Sequence, residues 1–250
     1  MTEAHTWEAP CASPVLEGGD VHVWKASLDV SERAIESLVR GLSPDEIERA
    51  NRFHFERDRR RFIVGRGVLR RILGRYVRTD ATTLQFAYSE RGKPSLIQAG
   101  DVPPILFSIS HSHELVLYAF ARRNLLGIDV EFIRSMRDID ELAKRFFSEH
   151  ESLLVQRASG IRKWEIFFAI WTVKEAYLKA TGEGLAGLED VEVTFSPDAS
   201  ACGITLKDQD DRAKQWTIRS MLPEAGYIAA VAVHNQVGTG MRFFETQPLV

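Results

Sequence analysis

The chain has 250 residues, 44% of them hydrophobic and 27% charged, with a formal net charge of -3, and it reads as an ordinary soluble protein of one large domain or two of about 125 residues. The charge gives no global case for nucleic-acid binding, and two distant cysteines, Cys11 and Cys202, indicate neither a disulfide framework nor a zinc site. Met1 to Gly19 lacks an apolar core flanked by basic residues, and no later apolar run approaches the roughly 18 residues of a membrane span, so a cytoplasmic protein with no span is expected.

In chain order, residues 2–20 read as a loose extension rich in small residues, Pro and Gly. Val21 to Leu28 alternates apolar and polar residues as a strand does. Ser43-Pro-Asp-Glu46 opens a helix, with Ser43 as cap, Pro44 in first position and Glu46 closing a capping box. A second helix is expected from Asp58 to about Tyr76. Strands follow at 84–88, 105–110 and 115–121, the last two a hairpin about a turn at 111–114. After a buried strand at 125–133 come helices near 138–146 and 148–157, then a long one from Ile161 to Thr181 that Gly182 can end. Strands at 190–195, 202–206, 215–221 and 226–234 close the chain. A strand, then helices, then a run of strands occurs twice. The pattern predicts an α+β fold of two similar halves in pseudo-twofold relation: an extension at 1–20, an N-terminal subdomain at 21–123 and a C-terminal one at 124–250, with the active site at their junction.

Chemistry concentrates in two acidic clusters, Gly127-Ile-Asp-Val-Glu131 and Trp171-Thr-Val-Lys-Glu-Ala-Tyr-Leu-Lys179. Residues two apart on a strand share a face, so Asp129 and Glu131 project together while Ile128 and Val130 point the other way. Glu175 and Lys179 sit one turn apart on the rim of the long helix's apolar arc. Four residues apart, such a pair is ordinarily an exposed ion pair contributing a few tenths of a kcal/mol. Lys174 falls inside the arc and must either snorkel out or find an anionic partner, for which one of these carboxylates is the candidate. Magnesium takes few carboxylates together with substrate phosphate oxygens, and three carboxylates from a strand and a helix suit a divalent metal holding a polyphosphate.

The first half carries the basic complement, eleven arginines between Arg49 and Arg78. A charge run on a helix is ordinarily a solvated face, yet the guanidinium fork also fits phosphate oxygens. Glu90-Arg-Gly-Lys-Pro94 presents Lys93 on a turn. Phe107-Ser-Ile-Ser-His-Ser-His113 ends a strand with hydroxyls and imidazoles. An isolated His there is ordinarily a structural hydrogen-bond partner, but Ser110 and His111 can equally bind a phosphate.

Arg91-Gly-Lys-Pro94, Phe107-Ser-Ile-Ser-His-Ser112, Gly127-Ile-Asp-Val-Glu131, Lys144-Arg-Phe-Phe-Ser148 and Trp171 to Lys179 with Gly182-Glu-Gly-Leu185 stand in order and spacing. In this the chain resembles the Sfp-type 4'-phosphopantetheinyl transferases, the larger, pseudo-dimeric kind. The resemblance covers about Leu42 to Leu185 by motif. It implies that coenzyme A binds between the halves and that a serine of an apo acyl or peptidyl carrier protein attacks its β-phosphate. The phosphopantetheine arm moves to that serine and 3',5'-adenosine bisphosphate leaves. By motif position, Asp129, Glu131 and Glu175 are implied as magnesium ligands, and Glu175 as base for the serine, directly or through a water. Lys179 is implied beside the pyrophosphate, Arg49, Arg61 and Lys93 around the nucleotide phosphates, and Ser110 with His111 at the 3'-phosphate.

Two rival readings remain. A metal-dependent nucleotide phosphohydrolase needs the same carboxylates, but lacks here the single-helix acidic signature of pyrophosphate-cleaving hydrolases. A nucleic-acid module using Arg49 to Arg78 predicts steep salt dependence and no need for Asp129 or Glu175. The pathway served by the carrier is not legible. A carrier helix needs an exposed apolar patch, for which residues around Phe146-Phe147 to Leu154 are the candidate unless they are core, and two halves in one chain predict a monomer.

Overall fold

The computed structural model describes residues 5–10, 13–98, 104–195, 202–206, 215–234 and 240–246. Cys11 lies outside them. The first half runs β1 (Val21–Ser27), α1 (Glu32–Val39), α2 (Pro44–Asn51), α3 (Glu56–Val77), β2 (Phe86–Tyr88), β3 (Pro94–Leu96), β4 (Leu106–Ser112) and β5 (Leu115–Ala121). The second runs β6 (Leu126–Phe132), α4 (Ile139–Phe146), α5 (Glu149–Arg157), α6 (Gly160–Thr181), a 3₁₀ turn at Leu185–Asp190, β7 (Val191–Phe195), β8 (Cys202–Leu206), β9 (Trp216–Met221), β10 (Tyr227–His234) and β11 (Met241–Glu245).

Local chemistry sets several of these boundaries. Glu46 turns back so that its Oε2 accepts from the Ser43 backbone N–H at 3.0 Å, closing the box that starts α2. Ser148 and Glu151 repeat the arrangement at the start of α5. Gly182, at φ 81°, takes the left-handed conformation that ends α6. Helix α1, which the sequence patterns did not single out, is capped by Ser31, whose side chain accepts from the Ala34 N–H. Strand β4 continues past the expected end at Ser110, so His111 and Ser112 are strand residues and the turn falls at His113 and Glu114. His113 takes the positive φ, 49°, that this turn requires.

The layers follow from strand alternation. Trp24, Ala26, Tyr118 and Phe120 point to α1 and α3, while Val21, Val23, Leu117 and Ala119 point the opposite way into a second core. There they meet Leu126, Ile128, Val130, Ala229 and Val231 of the other sheet. Ile228, Ala230 and Ala232 on that sheet's outer face pack on α6. The result is helix, sheet, sheet, helix, with a 22-residue helix over each sheet. Each half thus repeats the other's plan, as the sequence predicts.

The first sheet has the order β11-β1-β5-β4, the second β6-β10-β9-β8-β7. Strand β11 therefore crosses back and lies parallel to β1, with Val21 opposite Met241 and Lys25 opposite Glu245. The expected loose extension is also tied down at Glu8, whose N–H donates to the Phe243 carbonyl at 2.9 Å. The two sheets meet along β4 and β6. Ser108, Ser110 and Ser112 of β4 accept the backbone N–H groups of Ile128, Val130 and Phe132 at 3.2, 3.3 and 3.1 Å.

Candidate active site

Gly127 brings strand and helix together. A Cβ built there would stand 2.0 Å from the Ala176 carbonyl oxygen and 2.6 Å from the Ala180 nitrogen, so only glycine lets α6 lie this close to β6. Asp129 and Glu131 follow on the same face of the strand. Glu175 and Lys179 flank Ala176 on the helix, and the close approach brings the acidic clusters to one place.

Lys179 Nζ donates to Asp129 Oδ1 at 2.6 Å and to Ser110 Oγ at 3.0 Å. Ser110 gives its own proton to Asp129 Oδ1 at 2.7 Å, and Asp129 is 4% exposed. Glu131 Oε2 accepts from Ser112 Oγ at 2.8 Å and from Arg134 Nη1 at 3.2 Å. Burial, then the charge of Asp129, raises the Glu175 pKa above the usual carboxylate range. Lys179 opposes the shift and Glu131 adds to it. The Glu175–Lys179 pair is therefore part of a half-buried charge cluster around the buried Asp129 and not a solvated helix pair.

A cleft of about 270 Å³ opens beside these groups, lined by Arg91, Lys93, Phe107, Ile109, Glu175 and Lys179 among others. Its far wall is the β2–β3 turn, which reaches from the first half to the end of α6. Lys93 Nζ donates to the Lys179 carbonyl at 2.5 Å, and Arg91 Nη1 donates to that of Gly182. Both cations satisfy carbonyls left open at a helix C-terminus. Lys93 is exposed by area, yet its ammonium is crowded. Burial, then Lys179, lowers its pKa.

Next to the cleft, His111 is likewise exposed at its edge but crowded at its ring. Burial first, then Lys179 and Arg61, lowers its pKa, against Asp58 and Asp129. Arg61 donates to Glu114 Oε1 at 2.5 Å, and its buried Nε has no hydrogen-bond partner. Lys179 and Arg61 make a positive corner, to which His111 adds an imidazole N–H, and the corner suits an anion. Arg49 is not among the cleft-lining residues: its guanidinium lies 5.5 Å from the Phe62 ring centre and 6.0 Å from that of Tyr88.

The carboxylate oxygens test whether a divalent cation fits. Asp129 Oδ2 and Glu175 Oε1 are buried and have no hydrogen-bond partner. A buried anionic oxygen left without a partner is costly, and a hard cation with oxygen ligands is the natural remedy. Among the described residues no three His, Cys, Asp or Glu side chains already form a ligating group. The Lys179 ammonium holds the other Asp129 oxygen, Oδ1, and leaves Oδ2 open. The donor set fits a magnesium-like ion.

Residues 24–122 match the family described as 4'-phosphopantetheinyl transferase, N-terminal, and residues 125–232 match the 4'-phosphopantetheinyl transferase superfamily. The chain is 41% identical over 229 residues to 4'-phosphopantetheinyl transferase HetI of Nostoc sp. strain PCC 7120, covering 92% of this chain and 94% of HetI. It belongs to the 4'-phosphopantetheinyl transferases. The transferase is also 31% identical to Sfp of Bacillus subtilis over 157 residues, 63% of this chain and 67% of Sfp. A crystal structure of Helicobacter pylori holo-[acyl-carrier-protein] synthase in complex with coenzyme A covers 44% of this chain and 98% of its own, at 26% identity and a TM-score of 0.30.

In the transferase, Lys174 does not pair with a site carboxylate. Its Nζ lies 2.7 Å from Glu151 Oε2, both side chains being 0% exposed, and it donates to the carbonyls of Leu188 at 3.1 Å and Phe146 at 3.3 Å. Glu151 in turn accepts the Ser148 and Val193 N–H groups, each at 2.7 Å. Lys174 points away from its neighbour Glu175, since consecutive helix positions are about 100° apart. Its anion comes from α5, which periodicity along α6 alone cannot reveal. Sequence reasoning also passed over Ser112, Gly127 and Glu151. The alternation of serine at 108, 110 and 112 was the available signal for the first.

Proposed function

We propose that the transferase moves the 4'-phosphopantetheine arm of coenzyme A to a serine of an apo acyl or peptidyl carrier protein, with magnesium, releasing 3',5'-adenosine bisphosphate. The observation that carries the reading is the Asp129–Lys179 contact of 2.6 Å beside the orphaned oxygens of Asp129 and Glu175, at a cleft that Lys93 closes from the other half. Asp129, Glu131 and Glu175 would hold the ion. When bound, it would neutralise the pyrophosphate and polarise the attacked phosphorus.

The chain's own groups supply the rest. Glu175, directly or through a water, takes the proton from the carrier serine; with no ion present, burial and the charge of Asp129 raise its pKa. The serine Oγ–P bond to the β-phosphorus forms as the bridging P–O bond to the nucleotide breaks. Lys179 neutralises the leaving phosphate, and that anion draws it from Asp129. Lys93 and Arg61 hold nucleotide phosphates, and His111 faces the 3'-phosphate. Ser110, engaged by Asp129, Lys179 and the Val130 N–H, reaches that phosphate only by exchanging a partner. Arg49, which stands beside Phe62 and Tyr88 and outside the cleft lining, is a further proposed phosphate contact. Phosphoryl transfer needs such charge neutralisation and in-line positioning more than covalent help.

The subdomains are proposed as 21–123 for the nucleotide and 124–250 for ion and catalysis, in a cytoplasmic monomer with no role for nucleic acid or membrane. No described helix is long and apolar enough to cross a membrane. Incubation with coenzyme A, magnesium and apo carrier proteins tests the reading. A carrier mass gain of one phosphopantetheine, lost with Glu175→Gln, is expected; a consumed coenzyme A with unchanged carrier mass would indicate a hydrolase and overturn it.

A further inference from the structure

The β4–β6 seam is a ladder of three rungs. Strand β6 is the edge of its sheet, paired with β10 on one side, so the N–H groups of Ile128, Val130 and Phe132 face outward. A neighbouring strand would satisfy them with carbonyls. Here the hydroxyls of Ser108, Ser110 and Ser112 do so. A hydroxyl that accepts an N–H still has a proton to give, which a carbonyl has not. Ser110 gives its proton to Asp129 at 2.7 Å and Ser112 gives its own to Glu131 at 2.8 Å. In both rungs one hydroxyl grips the carboxylate of a β6 residue and the amide of the next. The third rung has the same backbone bond, but the residue before Ile128 is Gly127, with no side chain to grip.

From this repeat we infer that Ser112 and Ser110 are positioning residues for the cation site. They bind one oxygen of each β6 carboxylate, and so fix which oxygen stays open and where it points. The inference rests on the proposed magnesium reading of Asp129, Glu131 and Glu175. The rungs also make ligand geometry depend on the register between the two halves, because donors on a first-half strand aim ligands on a second-half strand. Ser112 is the cleaner member to test. It is buried, lies outside the cleft lining, and gives its proton to Glu131 without a hydrogen bond to Lys179.

The experiment measures manganese binding to the whole protein without coenzyme A, by calorimetry and by the spin-resonance signal of the free ion, alongside urea unfolding without metal. Ser112→Ala is expected to weaken binding about 10–100-fold, the usual cost of removing a group that orients a metal ligand. Ser112→Thr, which keeps the hydroxyl on a strand-compatible residue, is expected to restore it. Ser108→Ala removes an equivalent backbone rung with no carboxylate attached, so it is expected to lower urea stability about as much as Ser112→Ala and leave manganese affinity unchanged. Wild-type affinity in Ser112→Ala, or an equal loss in Ser108→Ala, would overturn the inference while leaving the site intact. If Asp129→Asn and Glu131→Gln bound manganese as tightly as wild type, the cation reading would fall and this inference with it.

Discussion

Replacing Gly127 with alanine tests the origin of the site's geometry. The new Cβ would be 2.0 Å from the Ala176 carbonyl oxygen, a backbone atom that cannot rotate away. Non-bonded atoms of this kind rest about 3.5 Å apart, so α6 must retreat from β6 by about 1.5 Å. Overpacking of this sort costs roughly 1–3 kcal/mol. The larger effect falls on function, because Glu175 and Lys179 travel with the helix and the 2.6 Å contact to Asp129 opens. Misplacement of catalytic groups by about 1 Å costs on the order of 100-fold in rate. Initial rates of carrier modification at saturating coenzyme A, beside urea unfolding of the same preparation, separate the two effects. A folded Gly127→Ala protein with wild-type stability and a rate within about threefold of wild type would refute the reasoning.

Other expectations follow from single contacts. Lys174→Met leaves Glu151 charged and buried, so urea stability should fall by roughly 3–5 kcal/mol, with partial recovery in the Glu151→Gln/Lys174→Met double variant; a loss below about 1 kcal/mol would count against a structural pair. Lys179→Ala should lower the maximal transfer rate by roughly 10²–10³-fold, with Lys179→Arg retaining more, and a nearly unchanged rate would remove Lys179 from the reaction. His22 is 0% exposed, and burial lowers its pKa to about 4 against the opposing charges of Asp20 and Glu8. The unfolded chain takes up its proton first, so stability is full above about pH 6.5 and falls as pH drops toward 4. The slope is about 1.4 kcal/mol per unit, roughly 3 kcal/mol in all. Unfolding titrations across that range should show a shallower loss in a folded His22→Phe variant, and an equal slope would assign the acid sensitivity elsewhere.

Much of the site was legible because its signals are local. Two-residue alternation placed Asp129 and Glu131 on one face, and caps and periodicity opened α2 at its first residue and bounded α5 and α6 closely. What escaped depends on distant partners. Glu151 meets Lys174 from another helix, and nothing in its own segment marks it as more than a capping residue. Ser110 of β4 reads as a substrate contact because a hydroxyl in a motif suggests a ligand, whereas it and Ser112 spend their protons on carboxylates of the facing strand. Helix α1 offered Ser31 but no carboxylate three residues on, so the capping signal was half present. The packing of β11 beside β1 joins positions over two hundred apart, beyond any pattern of neighbours.

That last pairing has a consequence for how the chain is made. The first-half sheet has β11 as an outer strand, so the sheet is completed only when residues 241–245 have been synthesised, long after β1, β4 and β5 exist. Until then β1 carries an open parallel edge, and a cut at the junction near residue 123 would leave it so permanently. The fragment beyond the cut would in turn expose Phe243 and Phe244, now 7% and 1% accessible. Although each half has its own helix and sheet, the last strand laces them, so cutting the chain between the halves removes a strand from the first sheet.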